Sequence, residues 1–448
     1  MKATFDARDL AMEVLARVER GGVPAVKALD ELLARTHGLD DRDRSFVTEL
    51  VYGVLRHRRR IDRVLQAFSR KRVSHPLLVR ALRLAVYQIL FLDRVPPRAA
   101  VHSAVEFVGK RMGRARAGFA NALLRAFLRE GEPLLPTPDQ DPGGYLRYGA
   151  SYSDWMAGLF ERIVGPEEAC ALGDALNRRY RTVIRANTLK TSRKELQNML
   201  QSEGVTATFC RYSPDGLYVD NLSDPTRHHL HEQGFFSVQE EASQLISHLL
   251  EPAKGDRILD VCGGSGGKTL HINALTGGTS SIVCCDSAEW RLRLASERFY
   301  RAAGESLDTR VVDWTAPEEF AAGEFFDRVL LDGPCTSIGA LRRHPEAKWR
   351  LDAKSLESAA NLQGRILEQT AKRVAHGGIL VYAVCTVTFE EGPVQVQTFL
   401  KKHPEFSIDV GIDKRNVVQS FLDNKGRFFS LPHLHDMDGF FAVRLRRC

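Results

Sequence analysis

No run of apolar residues in this 448-residue chain approaches the ~20 that a helix needs to span a bilayer. The opening stretch, Met1-Lys-Ala-Thr-Phe-Asp-Ala-Arg-Asp9, has no apolar core and carries acids early, unlike a secretory signal. Cysteine is scarce: Cys170, Cys210, Cys262, Cys284, Cys285, Cys335, Cys385 and Cys448 are the eight, and no two form a Cys-x-x-Cys pair. That spacing argues against both a metal site built on such pairs and a disulfide scaffold. The expectation is a cytoplasmic protein with reduced thiols, no metal and no membrane partner. Neither sign of charge dominates. Against 63 Lys+Arg stand 56 Asp+Glu, giving +7 and a pI near 9.0. A balance this mild points to nucleic acid only where the basic residues cluster.

The composition, 44% hydrophobic and 27% charged, is that of a globular protein, and the length exceeds one ordinary core. From Asp6 to about Arg129 the apolar period is helical throughout: Leu10, Val14 and Val18; Phe46, Leu50 and Val54; Val101, Val105 and Val108. Leu77 to Leu92 reads as a strongly apolar helix closed by Pro96-Pro97. Residues 1–130 are therefore expected to form an all-α bundle. Two basic clusters in it, Arg56-His-Arg-Arg-Arg60 and Lys110-Arg111 with Arg114 and Arg116, suggest phosphate binding. Pro133, Pro136, Pro138 and Pro142-Gly-Gly144 mark a linker at 131–148. Residues 149–234 read as a small, locally basic α/β module: helices from Trp155 and Glu167, a strand from Thr182, a helix from Arg193, and a hairpin around Pro214-Asp-Gly216. From 235 to 448 short apolar runs alternate with helical stretches. That rhythm is the mark of a doubly wound, Rossmann-like α/β sheet.

Two stretches of this last region carry the chemistry. The first is Asp260-Val-Cys-Gly-Gly-Ser-Gly-Gly-Lys-Thr269, a glycine-rich turn from strand to helix. Such a turn brings backbone close to a ligand and offers the free N–H groups of a helix start, as nucleotide, dinucleotide and S-adenosylmethionine sites all require. The phosphate loop of NTPases fits poorly, because Cys262 stands where its first glycine belongs; the dinucleotide fingerprint fails because Thr269 stands where its last one belongs. Acids close four successive strands: Asp260, Asp286, Asp313 and Asp332. Asp286 is placed to grip ribose hydroxyls and Asp313 to face an adenine.

The second is Val329-Leu-Leu-Asp-Gly-Pro-Cys-Thr-Ser-Ile-Gly339, paired with the run Ile379 to Val384 that ends in Cys385. Two strands would each deliver a thiol, Cys335 and Cys385, to the same sheet edge beside Asp332. This set suits methylation at carbon 5 of a pyrimidine. That carbon is a weak nucleophile until a thiolate adds at carbon 6. A carboxyl near ring nitrogen 3, such as Asp332, steadies the charge that develops. The base must first leave its stack or come from a single strand. Residue chemistry does not say which thiol attacks.

With these motifs the sequence resembles the RNA cytosine-5 methyltransferases, and specifically the bacterial ribosomal RNA small subunit methyltransferase B (RsmB/Sun) family. The resemblance covers nearly the whole chain. Leu50-Val-Tyr-Gly-Val-Leu-Arg56 and Phe119-Ala-Asn-Ala-Leu-Leu-Arg125 are similar to a NusB-type RNA-binding domain. Arg185-Ala-Asn-Thr-Leu-Lys190, Gln239-Glu-Glu-Ala-Ser243, Leu341-Arg-Arg343, Pro345-Glu-Ala-Lys-Trp349 and Asp438-Gly-Phe-Phe441 match further family motifs. The resemblance implies a class I methyltransferase domain whose S-adenosyl-L-methionine pocket is lined by Cys262, Gly263, Gly264, Ser265, Gly266, Gly267, Lys268, Asp286, Asp313 and Asp332. It also implies that Cys385 is the nucleophile and that Cys335 helps to release the finished RNA.

Three stretches depart from the family pattern. Gly263-Gly-Ser-Gly-Gly-Lys268 replaces Ala-Ala-Pro-Gly-Gly-Lys, Gly333 replaces Ala, and Ala383-Val-Cys-Thr386 replaces Ser-Thr-Cys-Ser. Extra glycine and a lost proline are expected to loosen the cofactor loop. The expected function is methylation of carbon 5 of a cytosine in small-subunit (16S) ribosomal RNA by a monomeric three-domain enzyme. The rival is an RNA-binding antitermination or ribosome-assembly factor with a degenerate methyltransferase domain.

Overall fold

The computed structural model describes residues 6–36, 38–222, 224–317, 320 and 323–448. Met1 to Phe5, on which part of the N-terminal reading rests, lie outside them. Among the described residues no helix is long and apolar enough to cross a membrane. The chain divides into two compact units: 1–178 with 341–352, and 179–340 with 353–448.

The first unit is helical. Seven helices, Ala7–Gly21, Ala25–Arg35, Asp41–Arg56, Arg58–Ala67, Pro76–Phe91, Pro97–Met112 and Arg114–Glu130, bury one core that includes Leu15, Leu50, Val54, Leu82, Val86 and Leu124. Pro76 and Pro97 each occupy a first helical turn, where a missing N–H costs nothing. Two more helices, Asp154–Val164 and Pro166–Asn177, cluster with this unit.

The first basic cluster is a correction. Arg56 is buried and donates to the Arg342 carbonyl at 3.3 Å. Arg59 donates to the Tyr152 carbonyl and Asp154, both at 2.9 Å, and Arg60 makes a fork of two 2.7 Å bonds to Glu132. These guanidiniums hold the unit together and are not a free phosphate surface. Lys110, Arg111, Arg114 and Arg116 remain exposed, with Lys110 paired to Glu106.

Residues 341–352 are the surprise of this unit. Lys348, 1% exposed, donates to the carbonyls of Arg56 (2.9 Å) and Ala150 (3.2 Å) and to Asn177 Oδ1 (2.9 Å), and lies 3.7 Å from the centre of the Tyr152 ring. Trp349 Nε1 donates to the Leu55 carbonyl at 2.6 Å.

The second unit holds two sheets. Strands β1 (Thr182–Ala186), β2 (Thr206–Phe209), β3 (Gly216–Asp220) and β4 (Phe236–Val238) form an antiparallel sheet in the order β2-β3-β1-β4. Its helix, Arg193–Ser202, starts at Ser192 with a reciprocal Ser192/Glu195 capping box. Strand β4 lies past residue 234, where the sequence placed the end of this module.

The larger sheet has β5 (Arg257–Asp260), β6 (Ser281–Asp286), β7 (Asp308–Val311), β8 (Phe326–Asp332), β9 (Val374–Val384), β10 (Phe406–Ile408), β11 (Arg427–Ser430) and β12 (Phe440–Arg447). The order is β10-β12-β9-β8-β5-β6-β7, with β11 also on β12. The pairs from β7 through β9 are parallel, and β12 runs antiparallel to β9, β10 and β11. Helices cover both faces, which is why β8 and β9 read as unbroken apolar runs. Ile258, Leu330 and Val381 face one core with Leu245 and Leu270; Leu259, Val329 and Leu380 face the other with Ile366 and Leu367.

Candidate active site

Strand β5 pairs with β6 on one side and with β8 on the other, so the winding direction reverses at β5. Open α/β sheets bind ligands in the crevice at that reversal, outside the carboxyl ends of the strands. The glycine loop sits there. It is tied down rather than loose: Gly263 N–H donates to the Cys285 carbonyl (2.8 Å), Gly266 N–H to the Gly263 carbonyl (2.9 Å) and Gly264 N–H to Asp286 Oδ2 (3.1 Å). The other oxygen of Asp286 accepts from Ala288 N–H at 2.9 Å. Helix Gly267–Leu275 begins directly after the loop.

A cavity of about 140 Å³ opens here, lined by Gln239, Ser243, Asp260, Cys262, Gly263, Gly267, Lys268 and Asp332. Lys268 Nζ donates to Asp332 Oδ2 at 2.5 Å across the ends of β5 and β8. Asp260 is fully buried, and Thr269 Oγ1 donates to its Oδ2 at 2.6 Å. Its Oδ1 is buried with no hydrogen-bond partner among the described residues. Burial pushes the Asp260 carboxyl up to about 6; the charges of Asp332 and Asp286 add to the rise, while Thr269 and Lys268 oppose it. Burial likewise raises the Cys262 thiol well above its ordinary value, so it stays protonated.

The middle module reaches this cavity from beneath. Arg185 of β1, 2% exposed, donates to Gln239 Oε1 and, at 2.9 Å, to the Gly267 carbonyl. Burial lowers its guanidinium to about 9. Next to it Asp215 Oδ2 accepts from His248 Nε2 at 2.9 Å and from His271 Nε2 at 3.1 Å. Arg185 thus docks the small sheet onto the end of the glycine loop.

Asp313 differs from the other three acids. It lies two residues past β7, is exposed, and its Oδ1 accepts from Thr315 N–H (2.9 Å) and Oγ1 (2.8 Å), which lowers its pKa.

The two thiols come together as the strand reading anticipated. Cys335 Sγ and Cys385 Sγ lie 3.2 Å apart, both half-buried, and Ser337 Oγ is 3.3 Å from Cys385 Sγ and 3.8 Å from Cys335 Sγ. The Cys335 thiol is raised well above its ordinary value by the bond to Cys385, by burial and by the charges of Glu391 and Asp332. At Gly339 a Cβ would stand 1.9 Å from the Gly439 carbonyl oxygen, so only glycine lets this turn pass. Its N–H donates to the Cys385 carbonyl at 3.2 Å. Sequence reasoning noted Asp260 as a strand-end acid and Gln239 to Ser243 as a motif without placing them in the cavity lining, and it did not find the groups that support the thiols.

Comparison with known proteins follows the same lines. A family model described as 16S rRNA methyltransferase RsmB/F matches residues 247–446, the NusB family model matches 6–129, and a ferredoxin-like domain of RsmF/B-like methyltransferases matches 152–224. The ribosomal RNA small subunit methyltransferase B of Yersinia pseudotuberculosis is 30% identical over 99% of both chains. The probable ribosomal RNA small subunit methyltransferase B of Bacillus subtilis (strain 168) is 30% identical over 100% of both. The chain belongs to the ribosomal RNA small subunit methyltransferase B family. The crystal structure of PH0851 superposes with a TM-score of 0.81 at 25% identity, covering 100% of each chain. That of NSun6 from Pyrococcus horikoshii with SFG shares the fold over 67% of this chain and 99% of its own, at a TM-score of 0.58 and 22% identity.

Membership in this rRNA methyltransferase family gives the glycine departures a meaning. A Cβ at Gly263 would stand 2.4 Å from Cys284 Sγ, so the sulfur beneath the loop occupies the space a family alanine needs. Gly264 has φ +55°, a region that glycine adopts freely. At Gly333 a Cβ would meet nothing nearer than 3.6 Å, so the glycine there is not sterically required.

Proposed function

We propose that this enzyme methylates carbon 5 of a cytosine in small-subunit (16S) ribosomal RNA, with S-adenosyl-L-methionine as donor and Cys385 as nucleophile. The observation that carries this reading is the 3.2 Å approach of two thiols from neighbouring strands, beside the Lys268–Asp332 pair. The cavity suits the donor: its floor holds an unpartnered buried oxygen on Asp260, and a Cβ at Gly267 would meet nothing within 4 Å. Residues Cys262 to Lys268 would hold the donor with Asp286, Asp313 and Asp332. When bound, it supplies an electrophilic methyl group.

The residues divide the work. Cys385 adds through sulfur to carbon 6, which moves electron density onto carbon 5. Asp332, oriented by Lys268, presents its carboxyl at nitrogen 3, where a proton shared with the ring steadies the negative charge that develops. After methyl transfer the carbon 5 proton leaves, the ring double bond re-forms, and the carbon 6–sulfur bond breaks. Cys335 assists that release. The exposed basic residues 110–116 and the helical unit would grip RNA backbone.

The test uses undermethylated small-subunit rRNA and labelled S-adenosylmethionine. Wild type should label the RNA, Cys335→Ala should accumulate a covalent protein–RNA adduct, and Cys385→Ala should do neither. No labelling by wild type would favour an assembly or antitermination factor with a degenerate methyltransferase domain.

A further inference from the structure

Glu391 lies six residues after Cys385 and is wholly buried, at 0% exposure. A carboxylate in that position is tolerated only where donors converge on it. Four do. Oε1 accepts from Thr336 N–H at 2.8 Å and Gln363 Nε2 at 3.0 Å; Oε2 accepts from Thr336 Oγ1 at 2.6 Å and Thr388 Oγ1 at 2.9 Å. Gln363 Nε2 also donates to the Pro334 carbonyl at 2.9 Å. Both neighbours of Cys335 are thereby held, Thr336 directly and Pro334 through Gln363.

Cys385 is supported differently. It follows β9, whose last residues are ordered by the sheet: Gly333 N–H donates to the Ala383 carbonyl (2.8 Å) and Gly339 N–H to that of Cys385 (3.2 Å). The carboxylate thus grips the residues on both sides of Cys335, and it reaches the Cys385 strand end at second hand, through Thr336, whose Oγ1 lies 3.3 Å from Thr386 Oγ1.

We infer that Glu391 is a positioning residue for Cys335, fixing the thiol that assists release of the RNA adduct on Cys385. The inference rests on the roles proposed for the two thiols. In release, the proton on carbon 5 passes to a basic atom in the site and its electron pair becomes the carbon 5–carbon 6 double bond. The electron pair of the carbon 6–sulfur bond returns to Cys385 as thiolate. Displacing Cys335 slows this step and leaves the attack by Cys385 in place.

The experiment takes the full chain, undermethylated small-subunit rRNA and labelled S-adenosylmethionine, and reads both RNA labelling and SDS-stable adduct. Glu391→Ala should accumulate adduct as Cys335→Ala does and lose roughly tenfold or more in multiple-turnover labelling. Glu391→Gln should restore release, because its amide accepts the Thr336 N–H and donates to the two hydroxyls. Should Glu391→Ala fold poorly, an isosteric pair decides. Thr336→Val cuts the hydroxyl link to the Cys335 loop and should build up adduct. Thr388→Val cuts a contact inside the Glu391 loop and should release at the wild-type level. Equal adduct from the two valine variants, or none from Glu391→Ala and Thr336→Val while Cys335→Ala traps it, overturns the inference. Labelling by Cys385→Ala, or no labelling by wild type, overturns the thiol assignment instead.

Discussion

Lys268 and Asp332 meet at 2.5 Å across the ends of adjacent parallel strands, joining the glycine loop to the loop that carries Cys335. The lysine is also the nearby cation that opposes the charge of Asp260. Three carboxylates, those of Asp260, Asp286 and Asp332, act on one another here, and removing the cation leaves them facing each other without compensation.

Lys268→Met should therefore cut kcat/KM by at least about 100-fold, by withdrawing the group that aims Asp332. The stability cost should be smaller, about 1 to 3 kcal/mol, because the Asp332 side chain is 29% exposed and water screens the pair. Steady-state kinetics with a thermal melt separates the two effects. A melt shift with unchanged kcat/KM would contradict this account.

Gly263→Ala and Gly333→Ala make a contrasting pair. The first drives a methyl to 2.4 Å from Cys284 Sγ and should weaken cofactor binding by about tenfold or more, with a stability loss of about 1 to 3 kcal/mol. Cys284→Ala in the same chain should recover most of both, because it empties the contested space. Gly333→Ala has ordinary contacts and should change stability by less than about 1 kcal/mol. Isothermal titration with S-adenosylmethionine, alongside melts of all four proteins, reads the series.

The Asp215–His248–His271 group sets an acid limit on the second unit. Burial holds His271 down to about 3, with the charge of Arg185 adding to the effect, so it stays neutral while it donates to an ionised Asp215. An unfolded histidine titrates near 6.5. Between those values the unfolded chain binds a proton that the folded chain refuses, so stability is full above about 6.5 and falls as the pH drops toward 3. His271→Gln should flatten that part of the stability–pH curve, as read by denaturant unfolding between pH 7.5 and pH 4.5.

Lys348 gives the first unit its own test. Lys348→Met keeps the stem but leaves the Arg56 and Ala150 carbonyls and Asn177 Oδ1 without their shared donor. A loss of about 2 to 4 kcal/mol is expected, seen as a lower melting temperature. Burial already pushes the ammonium well below its ordinary pKa. A melt equal to wild type would show those acceptors to be satisfied in another way.

The parts of this molecule that a sequence displays are those set by local rules. Strands β8 and β9 announce themselves as unbroken apolar runs, and the Ser192/Glu195 cap and the hairpin at Gly216 are written in adjacent residues. The two thiols are 50 residues apart in sequence, yet predictable neighbours, because each ends a parallel strand and β8 pairs with β9. What escaped notice depends on distant partners. Strands β4 and β10 have three residues each, too few for a period, and exist because β1 and β12 offer them an edge. Arg59 and Arg60 look like phosphate ligands until Asp154 and Glu132 are found 95 and 72 residues away. Glu391 resembles any surface acid until Thr336 and Gln363 close around it.

The excursion of residues 341–352 bears on how this protein can be taken apart. The chain passes from one unit to the other after Arg178, again after Ala340 and once more after Asp352. A fragment ending at Arg178 would lack the piece that brings Lys348 and Trp349 to their partners, and a fragment starting at Arg179 would carry that piece without its surroundings. Neither half is a natural expression product, so the helical unit is best studied by point substitution within the intact chain. Two such fragments, co-expressed, would have to find each other before the helical unit completed its fold.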